Sequence, residues 1–323
     1  MKKLEEVSIQ RNRKINKIEL LKQEQEPLTF WDNFENICSN NYEELKPIHE
    51  KYLLKCFGIY DKGSHNSFTL RIRVPLGQLI AHQAEKLADI SKKYGKSSID
   101  LTTRGQIEFR NLNLQELPIV LKELESVGIT TFQTAGDNFR GVVTSALDGY
   151  SKTSLITCED CINDIHDVFL KNPEYIGTLP RKFNTGILGD SINDCNIYGH
   201  DCAFVLAKKD EELGFNLYLG GKVGVQARPI NIFVKPREVK QTFKTIVDLF
   251  KKYGFRDNRN KNRLTYFLDE VGIEEFKEAI IKTSKLDLKT AGILLVKDEY
   301  KIDNTSTIKL KDNKTAIYFS IPT

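Results

Sequence analysis

Between residues 67 and 74 apolar and polar positions alternate. Phe68, Leu70, Ile72 and Val74 fall on one side, Thr69, Arg71 and Arg73 on the other, and Pro75-Leu76-Gly77 closes the run. That pattern predicts a half-buried strand. From about residue 79 to 94 the apolar spacing becomes that of a helix, with Gly95 as its C-cap. Residues 101–110 return to period two. Ile99, Leu101, Thr103, Ile107 and Phe109 share one face; Asp100, Thr102, Arg104, Gln106, Glu108 and Arg110 share the other. The pattern predicts one strand with an apolar face and a cationic, hydrogen-bonding face. A helix over 114–127, striped by Leu117, Val120, Leu121 and Leu124, and a short strand over 129–133 follow. This order predicts an α+β half-module with its helices on one sheet face and Arg71 and Arg104 on the other.

A second unit begins near Gly136. Its first helix carries Ile162, Ile165, Val168 and Phe169, and strands are predicted over 183–188, 202–207 and 215–219. Gly220-Gly221 marks a turn or a close approach. Val239, Phe243, Ile246, Val247 and Phe250 stripe a helix over 237–252, and a further helix is expected over about 259–269. Residues 1 to about 27 lack a sustained apolar stripe, which predicts an arm or a partly ordered extension. Trp31, Phe34 and Ile37 suggest a short packed helix within 28–56. Residues 315–323 echo 68–76, an extended run closed by an aliphatic residue and Pro. They read as the first strand of a second, truncated copy of the half-module, left unpaired.

Composition narrows the class. The 323 residues are 40% hydrophobic and 28% charged, with a net charge of +4. That describes an ordinary globular chain without a nucleic-acid or membrane signature. No apolar run approaches the roughly 18 residues of a membrane span, and the charged N-terminus lacks a signal-peptide core, so a cytoplasmic location is expected. Six cysteines do not make a disulfide scaffold. Cys158-Glu159-Asp160-Cys161 has no second Cys or His pair to complete a zinc site, so both read as ordinary helix thiols. Cys195 and Cys202, in a polar loop with His200, read as an incidental pair.

Four segments place cations on rigid elements. They hold Arg71 with Arg73; Arg104; Arg140 after the turn Gly136-Asp137-Asn138; and Lys182 with Asn184, the last two on one face of a strand. Any one of these could be a solvated surface charge. Together they suit a polycarboxylated ligand and a small oxyanion. Guanidinium groups fork onto carboxylates, and a lysine of lowered pKa can deliver a proton to a bound oxygen.

These motifs occur in an order that resembles the N-terminal half of the siroheme- and [4Fe-4S]-dependent nitrite and sulfite reductases, over about residues 60–275 and again in the tail. The resemblance implies a ferredoxin-like half-domain over 57–134 and a mixed α/β siroheme-binding domain over 135–280. Residues 1–56 would be the N-terminal arm and short helix, and 281–323 a linker with the first strand of a truncated second half-domain. Arg71 and Arg140 match substrate-pocket arginines, and Lys182 the pocket lysine. Asn184 stands where sulfite reductases typically carry a second lysine and plant-type nitrite reductases carry asparagine, which tilts the implied reaction toward six-electron reduction of nitrite to ammonia. Arg104 with Gln106, and Arg263 in 256–263, match siroheme-holding positions. The implied partners are nitrite or sulfite and an electron donor such as ferredoxin. Two departures stand out. The family's Cys-x5-Cys and Cys-x3-Cys cluster ligands are absent from the six cysteines, so the cluster ligands are expected outside this chain, on a possible C-terminal-half polypeptide. An inactive or split-gene fragment stays open. Gly105 replaces the usual Gln, as in the related precorrin-3B synthases, which remain an alternative.

Overall fold

The computed structural model describes residues 1–61, 65–297 and 307–319. Four helices open the chain: α1 (Lys2–Arg11), α2 (Lys17–Glu24), α3 (Pro27–Asp32) and α4 (Phe34–Ser39). The short α5 (Leu54–Cys56) then leads into the first sheet. The expected N-terminal arm is thus helical. Leu4 is fully buried in the core of the second unit. Asn16 caps α2, its side chain accepting from Ile18 and Glu19 N–H and donating to the Arg256 carbonyl at 2.6 Å. Polar anchors replace the apolar stripe that periodicity looks for.

The first sheet contains β1 (Ile59–Asp61), β2 (Phe68–Ile72), β3 (Asp100–Leu101) and β4 (Ile107–Leu112), antiparallel in the order β1-β2-β4-β3. The helices α6 (Ala81–Tyr94) and α7 (Leu117–Glu125) contribute Leu87, Ile90, Leu117, Val120 and Leu124 to one core with Leu70, Ile72 and Phe109. The single strand expected over 101–110 is instead a hairpin. Leu101 pairs with Ile107, Thr102 N–H donates to the Gln106 carbonyl, and Arg104 lies in the turn. Ile107 and Phe109 are buried as the alternation requires, but Leu101 is 58% exposed. The strand expected over 129–133 reduces to one bridge, Thr130 with Arg73, before the chain turns.

The second sheet runs β5 (Phe139–Val143), β6 (Phe183–Leu188), β7 (Cys202–Lys209), β8 (Glu212–Leu219) and β9 (Arg228–Val234). β5, β6 and β7 are parallel neighbours, with α8 (Glu159–Phe169) in the β5–β6 crossover; the β7-β8-β9 pairs are antiparallel. The amphipathic α9 (Val239–Tyr253) buries Phe243, Ile246, Val247 and Phe250 with α10 (Leu264–Val271) and α11 (Ile273–Ser284) in one phenylalanine-rich cluster. β5 and β9 lack a clear period-two signal in the sequence, and the helix expected over 259–269 begins only at Leu264.

β10 (Ile293–Leu294) adds to β7. The tail forms a hairpin of β11 (Thr307–Lys309) and β12 (Thr315–Ile317). The unpaired terminal strand expected over 315–321 is therefore paired as far as Ile317, and residues 320–323 lie outside the described residues.

Candidate functional site

The two sheets meet at a cleft of about 110 Å³ lined by Arg71, Arg104, Arg140, Lys182, Asn184 and the backbone-rich turns between them. Each sheet supplies part of it. β2 presents Arg71, the β3–β4 turn presents Arg104, β5 presents Arg140, and the start of β6 presents Lys182 and Asn184. Lys182 precedes the first strand residue, Phe183, rather than lying on the strand. Residues up to 113 positions apart in sequence thus converge, Arg71 to Asn184.

Arg71 is the most firmly held. Its Nε and Nη2 donate to Glu108 Oε1 at 2.9 and 2.7 Å, Nη2 donates to the Tyr60 hydroxyl at 3.0 Å, and Nη1 to the Thr134 carbonyl at 3.2 Å. Arg140 donates to the Thr134 and Gly136 carbonyls and leaves a buried Nε without an acceptor. Those carbonyls belong to the turn that follows Thr130. Gly58 makes the turn possible: its φ is +83°, and a Cβ there would stand 2.4 Å from Thr134 Oγ1 and 2.6 Å from the Thr131 carbonyl.

Arg104 stands beside Gly105, whose φ of +60° sets the hairpin turn and whose face lies against Gly77. The Arg104 Nε is also buried without an acceptor. Gln106 lines the cleft and also has a structural task. Its Oε1 accepts from Val74 N–H, and its Nε2 donates to the Val74 and Arg104 carbonyls at 3.1 and 3.0 Å. It therefore fixes the turn that carries Arg104. Gly141 leaves room for it, since a Cβ there would lie 2.7 Å from the Gln106 amide.

Arg263 is not a free cation. Nε and Nη2 donate to the two oxygens of the fully buried Asp201, at 2.8 and 2.7 Å. Asp201 also accepts from the Asn184 N–H at 2.8 Å, which couples Arg263 to the pocket strand. Asn184 itself is 1% exposed with an unpartnered Oδ1.

The electrostatics follow from this crowding. Burial lowers the Lys182 ammonium to about 8, and Arg140, Arg263, Arg104 and Arg181 push the same way. Burial, then Arg263 and Arg71, lower Arg104; burial, then Arg71, lower Arg140. Guanidinium groups keep their charge at neutral pH all the same. Among the described residues Arg104, Arg140 and Lys182 form no ion pair. Such a cluster is costly unless an anion fills it. Arg104 also borders a second hollow of about 600 Å³, lined by Thr103, Asn196, His200 and Lys222.

Tyr60, Glu108, Thr134 and Asp201 were not singled out from sequence. Glu108 was legible as a member of the polar face of its strand; the others carried no local signal.

Residues 60–127 match the model of the nitrite/sulfite reductase ferredoxin-like half domain, and residues 135–288 the model of the nitrite and sulphite reductase 4Fe-4S domain. A ferredoxin–nitrite reductase of Leptolyngbya laminosa is 30% identical over 93% of this chain and 60% of its own length. One from Synechococcus elongatus is 34% identical over 86% of this chain and 56% of its own. The chain therefore spans a little over half the length of these relatives. The solved structure of the Mycobacterium tuberculosis NirA protein superposes with a TM-score of 0.86 at 23% identity, over 95% of this chain and 60% of that one, a likeness of fold.

Proposed function

Because the chain belongs to the nitrite and sulfite reductase family, we propose that it forms the anion-binding wall of a siroheme-dependent reductase that converts nitrite to ammonia. The observation that carries this reading is the convergence of Arg71, Arg104, Arg140 and Lys182 on one small cleft, three of them without an ion-pair partner among the described residues. The cleft has room for a small oxyanion, and its lining offers donors on several sides. Arg71 and Arg140 bind and orient the anion. Lys182, lowered to about 8, keeps a proton at neutral pH and can give it to a substrate oxygen. Asn184 leaves the position neutral where another cation would favour a dianion, which supports nitrite over sulfite.

The residues also fit a polycarboxylated tetrapyrrole. Arg104 has a buried, unsatisfied Nε at the edge of the larger hollow, where Lys222 adds a second cation. Arg104 would hold siroheme carboxylates directly, Gln106 would hold Arg104 in place, and Arg263 would act through Asp201. When bound, siroheme supplies the iron at which the anion is reduced. The [4Fe-4S] cluster finds no matching cysteine spacing in these 323 residues, so its thiolates would come from polypeptide outside them. A reduced carrier of the ferredoxin type would supply the electrons.

Titrating the protein with siroheme tests this. The wild type is expected to develop a stable tetrapyrrole Soret band that survives gel filtration, and Arg104→Glu is expected to lose it while keeping its circular dichroism. Equal retention by both proteins would rule out the assigned role of Arg104.

A further inference from the structure

We infer that Glu108 is a specificity-determining residue of the cleft: by neutralising Arg71 from behind, it sets the site's net charge for a monoanion and against a dianion. This rests on the reading of the cleft as a nitrite site.

The sheet register creates the arrangement. Arg71 on β2 and Glu108 on β4 are directly paired across the ladder, so their side chains share a face. Tyr60 on β1 stands opposite Thr69, one alternation away on that same face. The Tyr60 hydroxyl donates to Glu108 Oε1 at 2.7 Å, and the two bonds from Arg71 to Glu108 end on the same oxygen. Glu108 is only 6% exposed. Its carboxylate is held there by Arg71 and Tyr60 through Oε1, while Oε2 lies 3.9 Å from Arg110.

Glu108 does not line the cleft, yet its charge lies one side chain away. Coulomb energy scales with the product of the charges, so a fixed negative charge opposes a dianion twice as strongly as a monoanion at the same place. The other three cations supply attraction. Glu108 offsets enough of it that a second negative charge on the ligand gains less. Asn184 withholds a cation on one wall; Glu108 cancels one on the opposite wall.

The test is isothermal titration of the 323-residue protein, without cofactor, using sodium nitrite and sodium sulfate at matched ionic strength and pH 7.5. Wild type, Glu108→Gln and Glu108→Asp are compared. Glu108→Gln keeps an acceptor for Arg71 but removes the charge, and is expected to raise the sulfate-to-nitrite affinity ratio about tenfold. Glu108→Asp disturbs the geometry but keeps the charge, and is expected to leave the ratio near that of wild type. A ratio unmoved in Glu108→Gln, or moved equally by Glu108→Asp, overturns the inference. Arg140→Ala separates the two levels. If it weakens both anions while the Glu108→Gln ratio stays at the wild-type value, the role of Glu108 falls and the pocket stands. If it weakens neither, the pocket reading falls and takes the role of Glu108 with it.

Discussion

Lys182 shares its surroundings with Arg140, Arg263, Arg104 and Arg181, and burial together with those charges lowers it to about 8 from an ordinary value of 10.5. The sign of the consequence is fixed. Below about pH 8 the ammonium is charged and attracts an anion; above it the attraction fades, well before a solvated lysine would titrate. Nitrite affinity is therefore expected to fall as pH rises from 7 to 9.5, and Lys182→Met is expected to bind more weakly at pH 7 and to lose most of that slope. Calorimetric titration across this range checks both. Arg71, Arg140, Lys182 and Asn184 were legible in the sequence because polar residues interrupt apolar alternations there, and because the motifs follow a family's order. Asp201 was not, and Glu108 was legible only as a polar-face position, not as the partner of Arg71. A carboxylate's partner is decided by which strands become neighbours, and Asp201 meets Arg263 from 62 positions away.

The β3–β4 hairpin shows why elements were read less well than residues. Period-two alternation continues through a polar turn, so one long strand and a tight hairpin leave nearly the same pattern. Gly105 was the available signal, and its positive φ is what turns the chain. The change matters for function. A strand would point Arg104 away from one fixed face, whereas the turn lets it sit between the cleft and the larger hollow. β6, β7 and α9 were placed closely because their apolar patterns are long and unbroken. The stretch 129–133, β-branched at its first three positions, resembles a strand, but its backbone pairs once and then curls so that the carbonyls of Thr134 and Gly136 can accept from Arg140.

At the scale of the molecule, Asp137 ties three regions together. It is 2% exposed and accepts from both Arg259 guanidinium nitrogens at 2.7 and 2.8 Å, while Lys22 of α2 approaches to 3.0 Å. Burial would raise its carboxyl, but Lys22 and Arg259 outweigh burial and hold it at about 2, below the ordinary 3.8. A depressed carboxyl contributes stability above its unfolded pKa and loses it as pH falls through its folded one. About 2 kcal/mol is thus expected to disappear between pH 4 and pH 2. Asp137→Ala leaves Arg259 without its carboxylate and removes one of the two that hold Lys22; it is expected to cost about 3–5 kcal/mol in urea unfolding at pH 7, with the low-pH loss largely abolished. This network explains why the N-terminal helices are part of the fold despite their weak apolar pattern.

The assembly of both sheets around one anion is the central claim, and it comes down to whether cations from different sheets act on the same ligand. Nitrite titration of the siroheme-loaded protein, followed by the visible absorption spectrum, tests it most directly. The wild type is expected to show a saturable spectral change. Arg140→Ala, with its Soret band intact, is expected to need about tenfold more nitrite or higher for the same change. An unchanged titration in Arg140→Ala would contradict the account.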